Sequence, residues 1–207
     1  MTGIYVLLAG QLLAGALIPG YDSVEIRPKE ASKYAAHQES QNLIIAAYPC
    51  DTRHKARQLF DTDKFAKKRI LPVLIVVENN NDFVVSLDGR AIFLIDGAGT
   101  QHRPMHYLDV LADLNNKRRP PISGFPPRGP GRRGSRKVRV ASEEMLADFE
   151  QKSFGDKLIA PYTKDFGVVF YEIPWDGWNL SKSRFYLPEV FNFSAKEPLV
   201  FFEFDAR

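Results

Sequence analysis

Ile70-Leu71-Pro72-Val73-Leu74-Ile75-Val76-Val77 decides the fold. The eight residues carry no charge and no polar side chain. A strand with one wet face alternates apolar and polar residues, so an unbroken run predicts a central strand covered on both faces. Pro72 stands at the strand entry, where a missing amide is tolerated. Working outward, Asn79-Asn80-Asn81-Asp82 reads as a turn, because Asn and Asp bond their own main chain and accept left-handed backbone. Phe83 to Leu87 is a return strand, Asp88-Gly89 a tight-hairpin dipeptide, and Arg90 to Ile95 a third strand ended by Asp96-Gly97-Ala98-Gly99. Short turns of this kind predict an antiparallel meander, not βαβ units.

Upstream, Val24-Glu25-Ile26 reads as a short strand leading into a polar linker or short helix up to Gln41. Leu43 to Tyr48 is a strand closed by Pro49. Asp51 is placed to cap a helix through Lys55, Leu59 and Phe60 to about Phe65. Downstream, Met105 to Leu114 is a helix candidate. Ser142 caps a second helix whose Glu143 and Glu144 suit the positive end of the dipole. Gly167 to Ile173, Arg184 to Leu187 and Leu199 to Phe204 are strands; in the last, Val200, Phe202 and Phe204 share one face. The pattern predicts a mainly β chain: an immunoglobulin-like antiparallel β-sandwich with two or three short helical insertions. An open or barrel-like antiparallel sheet is the alternative.

The run Leu71 to Asn80, with the following strand and Leu94-Ile95-Asp96-Gly97, resembles the Asn-Asn-turn hairpin of secreted bacterial immunoglobulin-like domains and lipoproteins. Leu199-Val200-Phe201-Phe202-Glu203-Phe204-Asp205 resembles the final strand of such domains. The matching pieces together cover about a quarter of the chain. The resemblance implies an exported β-sandwich and attaches no reaction.

Ile4 to Ile18 is uncharged and mostly apolar. Its length spans roughly 22 Å as a helix, short of a hydrocarbon core of about 30 Å. Residues 1–20 therefore read as a signal peptide, with Ala14-Gly15-Ala16 or Gly20 marking the cleavage region. The expected location is secreted or periplasmic. Met1-Thr2-Gly3 lacks the usual basic charge, and a buried apolar first helix of a cytosolic domain is the alternative. Leu12-Leu13-Ala14-Gly15 resembles the start of a lipobox, but Ala16 stands where the lipidated cysteine would be. Residues 21–207 form the single expected domain.

The formal net charge of +3 combines 28 basic and 25 acidic residues. Nine of the basic residues and none of the acidic ones lie between Lys117 and Arg139, leaving 19 basic against 25 acidic elsewhere. Five prolines and four glycines share that stretch. Such a composition predicts a disordered arm interrupting the domain. Arg118, Arg119, Arg128, Arg132, Arg133, Arg136, Lys137 and Arg139 are its candidate polyanion-binding residues, with Lys117 beside them. The candidate partners are an anionic envelope component, an anionic lipid or an acidic protein. Nucleic acid is disfavoured by export and by the lack of interleaved aromatics, since only Phe125 could stack. A solvated insertion that binds nothing is the plain alternative.

No nucleophile elbow, P-loop or dinucleotide fingerprint occurs, and no catalytic residue or cofactor is assigned. Trp175 and Trp178 in Trp-Asp-Gly-Trp are candidate platforms for a sugar or peptide. His102 and His106, four apart, could share a helix face as zinc pairs do, with Asp109 as a third ligand in a metal-dependent hydrolase. Cys50 is the single cysteine. It precedes a helix start whose dipole could lower its pKa. The favoured reading is a non-enzymatic binding or envelope-structural protein.

Overall fold

The computed structural model describes residues 21–115, 141–174, 179–199 and 201–207. In chain order, β1 (Ala36–Ser40) and β2 (Leu43–Pro49) form a hairpin, followed by α1 (Arg53–Arg57) and the long β3 (Ile70–Asn79). Next come β4 (Val85–Asp88), β5 (Phe93–Ile95), β6 (Gln101–His102), β7 (Pro104–Met105) and α2 (Tyr107–Asn115). The C-terminal half holds α3 (Glu143–Lys152), β8 (Asp156–Ile159), β9 (Thr163–Glu172), β10 (Arg184–Leu187), β11 (Val190–Asn192), β12 (Glu197–Pro198) and β13 (Phe202–Asp205). Among the described residues all the strand pairings are antiparallel, giving a mainly antiparallel β architecture with three α-helices.

Among the described residues three sheets result. The largest has the order β1-β2-β3-β9-β7, and two smaller ones run β13-β10-β5-β6 and β12-β11-β4-β8. The smaller pair packs on one face of the large sheet, giving a sandwich-like core of Ile45, Val73, Ile75, Tyr171, Phe185 and Phe202 with their neighbours. The helices cover the opposite face. There Val76, Phe170 and Val168 meet Phe60, Phe149, Val110 and Leu111. Alternate residues of β3 thus feed different cores, Val73, Ile75 and Val77 one way and Leu74 and Val76 the other. This is why the run shows no alternation: both of its faces are dry.

The expected three-strand meander does not form. β3 lies in the large sheet, β4 pairs with β8 and β11, and β5 pairs with β6 and β10. The corner that sends the chain out of the large sheet is built on Asn79, which is fully buried. Its Nδ2 donates to the carbonyls of Phe83, Ile159 and Ala160 at 2.8, 3.1 and 3.2 Å. Its Oδ1 accepts from the main-chain and side-chain nitrogens of Asn81, both at 3.1 Å. The side chain thereby replaces the ladder partners that a hairpin would have supplied. Asp88-Gly89 likewise opens a 3₁₀ turn (Gly89–Ala91) instead of a hairpin. Gly89 is required by contact: a Cβ there would sit 1.9 Å from the Phe154 carbonyl oxygen.

Two further differences lie upstream. Val24-Glu25-Ile26 is not a strand, whereas the polar Ala36–Ser40 is. β1 turns into β2 through Gln41 and Asn42, with φ of 48° and 56°, the mirror-image turn that suits strand twist. The cap of α1 is Thr52, which accepts from the Lys55 amide at 3.3 Å, and the helix is shorter than expected. Ser142 caps α3 as expected, accepting from the Met145 amide at 3.2 Å. Phe202 and Phe204 are buried while Glu203 and Phe201 are exposed, matching the expected facing.

Candidate functional site

A groove of about 680 Å³ opens at the end of the β1–β2 hairpin. Its floor is apolar. Ala36 and Ala47 face each other across the hairpin, and Tyr34, Tyr48, Leu59 and Leu74 complete the surface. The Tyr34 and Tyr48 rings lie 5.7 Å apart between centroids at 51°. Lys55 Nζ sits over the Tyr48 ring at 5.3 Å from its centroid. The outer wall is the stretch 24–29, which crosses the floor without regular structure.

That wall hangs between two fixed points. At one end Tyr21 Oη donates to Asp148 Oδ2 at 2.5 Å, and Ser23 Oγ donates to Asp148 Oδ1. At the other, the Ala31 amide donates to Glu78 Oε1 at 2.8 Å. Between them the Lys29 amide donates to the Tyr34 hydroxyl at 3.1 Å. That hydroxyl keeps its own proton to donate, and burial pushes its pKa up, so it stays neutral. Burial, and then the Asp148 carboxylate, likewise hold the Tyr21 phenol protonated.

Five cations line the groove: Arg27, Lys29, Lys33, Lys55 and Arg207. Among the described residues Glu25 is the single carboxylate side chain in the lining, and it pairs with Arg27 at 2.6 Å. The carboxylates that partner Lys33, Lys55 and Arg207 lie outside the lining. Lys33 reaches Glu30 at 3.8 Å, while Lys55 and Arg207 share Asp51 at 2.8 and 3.3 Å. A chain whose body is acidic outside residues 117–139 therefore concentrates positive charge around one apolar floor.

The residues singled out from sequence are dispersed. Trp175 and Trp178 lie outside the described residues, as do the apolar segment 1–20 and the whole basic arm 117–139 with Arg118, Arg119, Arg128, Arg132, Arg133, Arg136, Lys137 and Arg139. His102 and His106 do not share a helix face: His102 is on β6, and His106 precedes α2. Pro104, between them, belongs to β7 in a different sheet from β6. His102 Nε2 bonds Asp96 Oδ2 at 3.0 Å. His106 Nδ1 accepts from the Leu108 amide at 3.3 Å, and its ring lies 4.5 Å from that of Tyr107. Among the described residues, no group of three or more His, Cys, Asp or Glu is disposed to hold a metal ion.

A second cavity of about 550 Å³ holds His106, Tyr107, Glu150, Ser153 and Arg103. Ser153 Oγ donates to the Phe149 carbonyl at 2.6 Å, so its proton is committed to the end of α3.

The Asp96–His102 pair is a structural clasp. The His102 hydrogen bond, then the Thr100 and Ala98 amides, lower the Asp96 pKa against an opposing desolvation. A lowered folded-state value gives stability that is present above the ordinary aspartate value of about 3.9 and lost as pH falls through the folded one. Asp96→Asn should therefore lower the urea midpoint at pH 6, and its gap from wild type should close as pH falls below about 4. A constant gap down to pH 3 would contradict this.

Cys50 behaves opposite to the dipole expectation. Burial is the leading cause, and it pushes the thiol up to about 12. α1 has five residues and begins three positions further on, too short and too far to compete. Native protein at pH 8 should not react with a disulfide reagent, and unfolding in guanidinium should release one thiol per chain. Rapid labelling of the folded protein would refute this.

The groove was missed in sequence because its residues come from seven separate stretches between Val24 and Arg207. The available signal was modest: three basic residues, Arg27, Lys29 and Lys33, just ahead of Tyr34. Only the β1–β2 register brings them to Tyr48 and Lys55.

No family model matches the chain, and no curated protein matches it. Two chains of solved structures match. One is the crystal structure of the yjhA protein from Bacillus subtilis, 12% identical, with a TM-score of 0.44, covering 83% of this chain and 96% of that one. Among the described residues, no helix is long and apolar enough to cross a membrane.

Proposed function

We infer that this chain is a non-enzymatic binding protein, exported from a bacterial cell, with an immunoglobulin-like β-sandwich whose ligand site is the groove at the β1–β2 hairpin. The observation that carries the reading is the groove itself: an apolar floor ringed by cations. Its volume falls in the range of small-molecule sites, about 300–1,000 Å³. Its polar groups are lysines, arginines, one glutamate and tyrosine hydroxyls, which suit the orientation of an anionic ligand. The basic arm, through Arg118 to Arg139, serves as an accessory contact to an anionic envelope component, lipid or acidic protein.

Thermal denaturation of the full chain against a small-molecule library tests the binding role. A ligand at a hundred times its Kd stabilises by about 2.7 kcal/mol, which raises Tm by roughly 5–10 °C in a chain of this size. Silence across the library, or conversion of a compound to product by mass spectrometry, would overturn the reading. Export is tested separately by recovering the protein from periplasm or medium with an N-terminus near Ala16 or Gly20. An intact chain retained in the cytosol would defeat it.

A further inference from the structure

We propose that the groove takes a medium-chain aliphatic carboxylate, with the chain on the tyrosine floor and the head among the rim lysines. This rests on the binding reading above and adds the chemical class of ligand.

Three observations select the class. The five lining cations outnumber the three carboxylates that pair with them, Glu25, Glu30 and Asp51, so an entering anion meets a net positive charge. A ligand that only sought charge would have no use for the floor, which is made of Ala36, Ala47, Leu59, Leu74 and two tyrosine rings. The body is aliphatic because the rings do not form a slot: Tyr34 and Tyr48 are inclined at 51°, and Lys55 already lies over the Tyr48 face. A flat aromatic ligand stacks best between near-parallel faces, whereas a flexible chain follows a tilted wedge. The Tyr34 hydroxyl accepts from the Lys29 main-chain amide and, held neutral by burial, keeps its own proton to offer a carboxylate.

The test uses the full-length protein and isothermal titration with decanoate, decanol and 2-naphthoate, each below its aggregation threshold. Decanoate should bind at least about tenfold tighter than decanol or 2-naphthoate, and its affinity should fall as salt rises. Lys29→Gln with Lys33→Gln changes two exposed side chains, and an unaltered circular dichroism spectrum will show that the fold is kept. This double variant should weaken decanoate about tenfold and leave decanol within twofold. Equal binding of decanol and decanoate, or tighter 2-naphthoate, would overturn the aliphatic carboxylate while leaving a binding groove in place. Decanoate binding that ignores the double variant would overturn the location. No heat from any of the three overturns the proposal, and only a silent library would then overturn the binding role as well.

Discussion

Asp148→Ala should lower stability by about 3–5 kcal/mol and Tm by roughly 10 °C or more. Asp148 lies on α3 with its side chain 1% exposed, and it forms an ion pair with Lys152, 10% exposed, at 2.7 Å. Removing one member of a buried pair leaves the other charged and desolvated, which is the expensive case. Lys152 has only partial compensation: its Nζ also donates to the Leu59 carbonyl at 2.9 Å and lies 5.1 Å from the Phe60 ring centroid. The same substitution releases Tyr21 and Ser23, so the groove wall loses one of its two anchors. Asp148→Leu combined with Lys152→Met should be less destabilised than Asp148→Leu alone, because no orphan charge remains. Chemical denaturation decides both points. A single variant within 1 kcal/mol of wild type would show that the network is incidental.

Asn79→Ala should cost about 3 kcal/mol or more. The side chain serves three carbonyls and two Asn81 donors at a fully buried position. Each buried polar group left without a partner loses about 1–3 kcal/mol, and water cannot easily replace the amide there. Asn79→Asp should be no better, since a carboxylate presents oxygens to the carbonyls of Phe83, Ile159 and Ala160. The damage should concentrate where β3 hands over to β4, so amide exchange should accelerate first at Val85 to Asp88 and at their β8 partners. Uniform acceleration across all three sheets would show that the corner has no special role.

The core strand was legible because burial on both faces writes itself into composition: Ile70 to Val77 has nowhere polar to look. Ser142 and the first turn of α3 were legible because a cap and its acids are local. The destination of each strand was not. Asn79 to Asp82 reads equally as a hairpin turn or a corner, and the choice is made by Ile159 and Ala160, eighty residues away. Gly89 reads as a turn glycine, yet its missing Cβ answers to the Phe154 backbone. One signal was present and readable. Met145, Asp148, Phe149 and Lys152 recur at helical spacing on one face, so a charged pair embedded in an apolar stripe already pointed inward. The groove was least visible, since its floor depends on the Ala36–Ala47 pairing and its wall on a stretch with no periodicity at all.

The double-sided burial of β3 has a thermodynamic corollary. Two cores that share one wall cannot melt independently: loosening the helices exposes Leu74 and Val76, and the same backbone carries Val73 and Ile75 on the other side. The helical layer and the small sheets are therefore yoked, and heat should take them apart in a single cooperative step, with no state that keeps one core and discards the other.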